Sequence, residues 1–424
     1  MKSQKRIVLA TFGSLGDLHP YLAVALGLKA RGHQAVLATH PVYRQKVEAL
    51  GLEFAPVRPD TPQDQTAAFM KRLVSWRGSE IVVREFIAPA LRQSYEDTLL
   101  AAQGADLLVS HVLTFSVRLV AHQLSIPWVS SVLSPMLFFS RHDLPMAMPE
   151  PLMTIFQGIL RLAGPDRFLA LMRRSIKSWI APYYQLCAEL NLPSPHPLFE
   201  GQHSPHLILG LFSEAFGPRR PDWPVNVRIT GFPFYDREDA SAQNPPELTR
   251  FLRNGPPPIV FTLGSSAVQD AGRFYEQSEQ AALRLGQRAV LLIGRDPRNV
   301  PAKPLPPEII AVPYAPYSEV LPRAAVTVHQ GGVGTTAQGL SAGKPMLVMP
   351  YSHDQPDNAR RIVNLGVGRT IKRGAYNADS AVGALGELLS NPAYAQTAER
   401  LGERIRSEDG VAAACDALEE MLRS

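Results

Sequence analysis

Cysteine is scarce in this chain. Of 424 residues only Cys187 and Cys415 are cysteine, far apart and outside any CxxC or Cys/His cluster. A disulfide framework and a zinc site are both excluded, and a reducing, cytoplasmic setting is expected. No GxxxxGK[ST] string occurs, which removes P-loop kinase and ATPase chemistry. No Asp-x-Asp triplet occurs either, so the closely spaced carboxylates that seat a divalent cation beside a nucleotide are missing, and no metal is expected. Charge is modest: 43 Lys plus Arg against 38 Asp plus Glu give +5. Without a dense basic block, nucleic acid is an improbable partner, whereas a mild positive field suits an anionic small molecule. The longest uncharged run, Leu119 to Ser140, is interrupted by His122, Gln123, Pro127 and Pro135, so it reads as a buried strand with flanking loops and not as a membrane span. The apolar run Ile7 to Phe12 is too short for a signal-peptide core and is read as a first strand.

A chain of this length with 45% hydrophobic content exceeds what one core usually supports, and two domains of about 200 residues are expected. Strands are predicted at Arg6 to Thr11, Gln34 to Thr39, Glu53 to Val57, Asp106 to Ser110 and Trp128 to Ser131, with helices such as Pro20 to Arg31 between them. This rhythm makes βαβ units and a parallel sheet covered on both faces, an α/β class. The rhythm restarts with strands at Ile259 to Leu263, Ala289 to Ile293, Ile309 to Val312, Val326 to His329 and Met346 to Met349. Between the halves, Gly231 to Pro258 is rich in Pro, Asn, Asp and Glu and reads as an exposed linker. The expected division is a first domain 1–235, a linker 236–257, a second domain 258–395, and charged amphipathic helices 396–424 that pack back on the first domain.

Three stretches carry chemistry. His329-Gln330-Gly331-Gly332-Val333-Gly334-Thr335-Thr336 lies where an apolar strand gives way to a helix. Glycines there let the backbone approach a diphosphate, the threonines offer hydroxyls, and the helix start directs free N–H groups at an anion. Gly264-Ser265-Ser266 follows another predicted strand and offers a second hydroxyl seat, or a plain turn. Thr11 to Pro20 places Asp17 and His19 after the first strand, where open α/β sheets bind ligands. Either can take a proton, or Asp17 caps the helix while His19 packs beside it. Tyr314, braced by Pro316, can present a flat face to a nucleobase or simply pack. With no carboxylate cluster, a leaving diphosphate must be neutralised by N–H groups, a helix dipole, hydroxyls and His329. Asp354 and Asp357 suit hydroxyls better than a cation.

Over nearly its whole length the sequence resembles the metal-independent nucleotide-sugar glycosyltransferases of family 1. The resemblance rests on Gly16-Asp17-x-x-Pro20, Gly231-Phe232-Pro233, Tyr314-Ala315-Pro316, His329-x-Gly331-Gly332-x-Gly334-Thr335-Thr336 and His353-Asp354-Gln355-x-x-Asn358, in that order. It is most similar to bacterial members such as the rhamnosyltransferase subunit of rhamnolipid synthesis, then to sterol and macrolide glycosyltransferases. The resemblance implies a GT-B fold of two facing Rossmann-like domains whose closure brings base to sugar. It implies that Asp17, in the loop with Gly16, is the base that deprotonates the acceptor hydroxyl, with inversion at the anomeric carbon. Plant members pair a base histidine with an aspartate from a later strand; His111 stands there, which suggests the reversed pairing. By the same resemblance Tyr314 stacks on the base, Ser265 and Gly331 to Thr336 hold the diphosphate, and Asp354 and Gln355 grip sugar hydroxyls. Two positions depart from the pattern. Gln330 replaces the phosphate histidine, which passes that contact to His329, and Gln338 replaces the glutamate that holds both ribose hydroxyls. A glutamine does not accept two bonds as an ionised carboxylate does, which leaves room for a dTDP-sugar beside a UDP-sugar.

The donor expected is a UDP- or dTDP-sugar carrying glucose or rhamnose. Apolar loops with Met136, Leu137, Phe138, Phe139, Met146 and Met148, and the segment 152–180, imply a lipid, sterol, polyketide or phenolic acceptor, or ordinary packing. The basic and apolar faces of 152–180 leave open a peripheral contact with the inner face of a membrane. Oligomeric state leaves no signal. A nucleotide-sugar epimerase of the same fold, and a non-catalytic nucleotide-sugar or lipid-binding accessory subunit, are the rival functions.

Overall fold

Short apolar runs, most of them followed by a helix, pair side by side in two all-parallel sheets. The structure is a computed structural model and describes residues 4–60, 71–146, 152–235, 245–301 and 303–423. The first sheet contains β1 (Arg6–Ala10), β2 (Gln34–Thr39), β3 (Glu53–Pro56), β4 (Leu107–Ser110), β5 (Trp128–Val132), β6 (Leu207–Gly210) and β7 (Val227–Ile229), in the order β3-β2-β1-β4-β5-β6-β7. The second contains β8 (Ile259–Thr262), β9 (Ala289–Leu292), β10 (Ile309–Val312), β11 (Val326–His329), β12 (Met346–Val348) and β13 (Gly368–Thr370), in the order β10-β9-β8-β11-β12-β13. Both orders reverse beside their first strand, which opens a crevice between β1 and β4 in one sheet and between β8 and β11 in the other. In such sheets ligands bind at that switch point, outside the carboxyl ends of the strands.

Central strands are buried along their length, as parallel strands covered on both faces must be. Two compact units result, one of residues 1–64, 77–235 and 408–424, the other of 65–76 and 236–407. The terminal stretch therefore divides at Ser407, not at residue 396. Helix Pro392–Arg406 stays in the second unit against helix Val333–Ser341, whereas helix Gly410–Met421 lies on helix Leu15–Ala30. There Gly27 admits the neighbouring helix so closely that a Cβ would meet Val411 at 2.6 Å and the Cys415 sulfur at 2.9 Å. Buried His33 donates to Glu419 at 3.2 Å and fixes the register.

Several expected elements differ. The first helix starts at Leu15, not Pro20, because Ser14 and Asp17 form a capping box that satisfies its first N–H groups, leaving Pro20 inside. Part of the expected linker is helix Pro246–Arg253, anchored by Leu248, which is fully buried, and by the Arg288 guanidinium over the Phe251 ring. Helix Leu152–Ile176 is bent at Gly164. Among the described residues no helix is long and apolar enough to cross a membrane.

Candidate active site

At the switch point of the first sheet, the chain leaves β1 through Gly13, whose backbone φ of +135° suits glycine and whose Cβ would collide with Asp17 Oδ2 at 2.2 Å. Tyr43 donates its hydroxyl to the Gly13 carbonyl at 3.0 Å and holds the loop. Asp17 then sits in the first helical turn. Its Oδ2 accepts from the Ser14 backbone N–H at 2.8 Å and the Ser14 hydroxyl at 3.2 Å. Its Oδ1 faces His111 Nε2 at 3.6 Å, from the end of β4. Burial raises the Asp17 carboxyl to about 6, against the lowering effect of the Ser14 hydrogen bonds. His111 is buried, which pulls its imidazole down to about 3 and keeps it neutral. Its Nδ1 accepts from the Leu113 N–H at 3.4 Å, so the ring proton resides on Nε2, toward the carboxylate.

The two carboxylate oxygens of Asp17 thus face different ways, Oδ2 into the helix cap and Oδ1 toward His111. His19 is different. Two residues apart on a helix, its side chain and that of Asp17 lie on opposite faces. His19 instead packs edge-on to Tyr235, 5.3 Å between ring centroids, and bonds to the Tyr235 backbone. Burial, then the nearby Lys46 ammonium, hold it down to about 3. The structure thus places His19, expected among the catalytic groups, against the chain segment at Tyr235 and away from Asp17. The N–H of Gly16, expected from the resemblance among the donor-binding groups, is engaged by the Ser14 hydroxyl at 3.3 Å.

A narrow, mostly apolar recess opens at the ends of β1, β3 and β4, lined by Phe12, Val57, Ile87, Leu91, Leu113 and Phe115 among others. Ile87 closes a π-helical turn, Val82–Ile87, of a kind frequent at functional sites. The residues expected to line an acceptor cleft are largely packed elsewhere. Phe138 stacks on Trp223 with centroids 4.0 Å apart, Met136 is buried, and Phe139 lies against Phe199. Met148 falls outside the described residues.

The second switch point carries the glycine-rich stretch. His329, ending β11, is buried; its Nδ1 accepts from the Gly331 N–H at 3.0 Å, which leaves the proton on Nε2, a buried atom with no protein partner among the described residues. Burial lowers its imidazole to about 4, so it is a neutral donor. Gln330 is equally buried and lies between the two glycine turns: a Cβ on Gly264 would stand 2.3 Å from its amide nitrogen, and one on Gly332 2.9 Å. Gly332 caps helix Val333–Ser341, whose first N–H groups have no intrahelical acceptor. Gly334 is half-buried and Thr335 nearly enclosed. Thr336 donates its N–H to Gly332 O at 2.9 Å, and its buried hydroxyl has no protein partner among the described residues. Gln338 is half-buried one turn on, Ser265 is exposed at the end of β8, and half-buried Tyr314 follows β10.

From the end of β12, Asp354 starts helix Gln355–Asn364. Buried Asn358 donates both to Asp354 Oδ2 at 2.7 Å and to Gly331 O at 2.8 Å, tying the glycine turn to the carboxylate. Asn358 belongs to the sequence motif, yet its linking role shows only in three dimensions. The Gln355 Oε1 accepts from Tyr351 N–H at 2.9 Å and Ser352 N–H at 3.4 Å, so its oxygen shapes the loop and only its amide nitrogen can serve a ligand. Asp357 is corrected outright: fully buried, it bonds Arg361 at 2.6 Å and Arg360 at 2.7 Å.

Residues 7–135 match the glycosyltransferase family 28 N-terminal domain, and residues 285–421 match the erythromycin biosynthesis protein CIII-like C-terminal domain. The chain is 30% identical to O-mycaminosyltylonolide 6-deoxyallosyltransferase of Streptomyces fradiae, over 98% of this chain and 97% of the relative. It is 29% identical to a sterol 3-beta-glucosyltransferase of Sclerotinia sclerotiorum, over 96% of this chain but 28% of that much longer protein. Among solved structures, the glycotransferase of kitacinnamycin superposes with a TM-score of 0.71 at 25% identity, over 99% of this chain and all of that one. Glycosyltransferase VinC, solved with dTDP, gives 0.71 at 18% identity, over 99% and 100%, and so shares the fold. With two parallel, doubly wound sheets and these relatives, the chain belongs to the family 1 glycosyltransferases of the GT-B fold.

Proposed function

We propose that this glycosyltransferase moves a hexosyl group, glucose or rhamnose, from a UDP- or dTDP-sugar to a hydroxyl of an apolar acceptor, with inversion and without a metal. The observation that carries the reading is the Asp17–His111 pair. A carboxylate raised to about 6 is largely ionised at neutral pH and still basic enough to take a proton from an alcohol. As the acceptor oxygen bonds to the anomeric carbon, its proton passes to Asp17 Oδ1. The bond from that carbon to the diphosphate oxygen breaks, and its electron pair leaves with the diphosphate. Helix Val333–Ser341 offers N–H groups to that charge, and His329 Nε2–H and the Gln330 amide lie at the same strand end, a set of fixed dipoles able to act without a cation. Asp354 and the Gln355 amide nitrogen take sugar hydroxyls, and Tyr314 the pyrimidine. The apolar recess beside Phe12, together with the sterol and macrolide names of the relatives, supports a lipophilic acceptor.

The test is incubation with UDP-glucose and dTDP-rhamnose and a panel of sterol, hydroxy-lipid, polyketide and phenolic acceptors in EDTA. Glycosides of inverted anomeric configuration, lost in Asp17→Asn, are expected. Interconverted free sugar nucleotides, or binding without turnover, would instead select the epimerase or accessory reading.

A further inference from the structure

We propose that Arg373 is a positioning residue that locks the diphosphate loop after β8 to the sugar-gripping loop after β12, so that a ligand spanning both loops depends on it more than one touching the first alone. The inference rests on the donor assignment above and adds to it a residue outside every motif.

Arg373 begins the short turn Arg373–Ala375 that follows β13, the edge strand. Its Nη2 donates to Asp270 Oδ2 at 2.6 Å and to the Asp270 carbonyl at 3.1 Å. Asp270 closes the turn Val268–Asp270, directly after the Gly264–Ala267 helical turn that presents Ser265. The same guanidinium lies 3.9 Å over the Tyr351 ring. Tyr351 returns to the first loop by donating its hydroxyl to Asp270 O at 3.3 Å, while its backbone N–H donates to Gln355 Oε1 at 2.9 Å. One cation thus holds the carboxylate and carbonyl of Asp270 and the aromatic face of Tyr351 at once, joining two chain segments far apart in sequence.

Only a planar guanidinium does all of this. Its edge directs N–H groups at carboxylate and carbonyl while its face stacks on the ring, whereas an ammonium offers a point charge without a face. Most of the bracket is sheltered, with the Asp270 side chain 20% and that of Arg373 37% exposed, so it is screened less than a surface pair. Its predicted effect is on relative placement. A nucleoside diphosphate meets Ser265 and the helix start, but a sugar nucleotide must also meet Asp354 and Gln355, and the fit of the whole depends on the spacing of the two loops.

Calorimetric titration of wild type and Arg373→Ala with UDP, dTDP, UDP-glucose and dTDP-glucose tests this. The variant should bind the sugar nucleotide about tenfold more weakly while the bare diphosphate shifts by less than about threefold. In turnover, donor KM should rise with kcat at saturating donor little changed. Arg373→Lys, which keeps charge and bulk, carries the same comparison should the alanine variant fail to fold. Equal losses for both ligand classes, or none, in a variant that unfolds like wild type would overturn the role given to Arg373. A wild-type chain that binds neither class overturns the donor assignment itself.

Discussion

His111 Nε2 stands 3.6 Å from Asp17 Oδ1, across the crevice between β4 and β1, and the Leu113 N–H on the far side of the imidazole settles which nitrogen carries the proton. The neutral ring therefore directs an N–H at a carboxylate and does not compete with it for protons. In the mechanism proposed above, the acid residue of this pair is the base and the histidine orients it.

The pH profile follows. With Asp17 raised to about 6 and His111 lowered to about 3, only the carboxylate titrates between pH 5 and 8. Below about 6, kcat/KM should fall about tenfold per pH unit, and above it should level. Asp17→Asn should lose about 10²–10⁴-fold in kcat. His111→Ala removes the N–H that favours the ionised form, so its acid limb should move to higher pH with a smaller loss of rate. His19→Ala, whose ring faces Tyr235, should leave the limb where it is. A flat profile from pH 5 to 8 in wild type would remove Asp17 from its role.

The same carboxylate has a stability signature. Its folded pKa lies above the ordinary carboxylate value, so the contribution of this group to stability is fully present below about pH 4 and is lost as pH rises through about 6. Asparagine is neutral throughout and its Oδ1 can still accept from the Ser14 N–H, so the helix cap survives. Asp17→Asn should therefore be more stable than wild type at pH 8, by about 1–2 kcal/mol once the one-third exposure of the side chain is allowed for, and should hold little advantage at pH 4. Urea titrations at the two pH values make the comparison. A variant weaker at both would mean that the cap, not the buried charge, dominates the energetics of Asp17.

Much of this arrangement was legible in the sequence because parallel strands buried on both faces are plain apolar runs, and the glycine-rich stretch announces a strand-to-helix turn. β6, β7 and β13 left too little pattern, three or four residues each without alternation. The first helix begins before Pro20 because the Ser14-x-x-Asp17 spacing, a capping signature written in the chain, outweighs the proline as a start signal. The loop bonds of the Gln355 oxygen and the buried ion pairs of Asp357 were not legible. Both are buried in one short stretch of polar residues, after a loop in which His353 takes a left-handed φ of +58° and bonds through Nε2 to Leu73 O, 280 residues away in sequence. Arg373 belongs to no motif and becomes visible only when β13 places it beside Asp270.

Asp357 offers a test that separates folding from ligand binding. It is fully buried beside Arg361, itself 5% exposed, on the same helix. Asp357→Ala would leave that guanidinium enclosed without its carboxylate, at a cost of about 3–5 kcal/mol. Chemical denaturation should register that loss, and the fraction that remains folded should bind sugar nucleotide with nearly wild-type affinity. Asp354→Ala should do the reverse, weakening the donor with little effect on unfolding. If Asp357→Ala kept its stability and lost the donor, the two aspartates would have to exchange roles.

Gly264 and Gln330 form the tightest crossing of the donor seat. Gly264 takes a φ of +65°, and a Cβ there would meet the Gln330 amide nitrogen at 2.3 Å. Gly264→Ala therefore carries two penalties, backbone strain of about 1 kcal/mol and expulsion of the Gln330 amide from its place between the glycine turns. Gln330→Ala removes the obstacle and the amide together. In the double variant the second penalty has nothing left to act on, so the losses in donor affinity should be smaller than the sum of the single losses, by about 1 kcal/mol or more. Strict additivity would show that the amide is not what Gly264 accommodates. Sub-additivity would place Gln330 among the groups that shape the seat. Because a glutamine amide does not titrate, donor affinity through that contact should also stay constant across the range in which an imidazole would gain its charge.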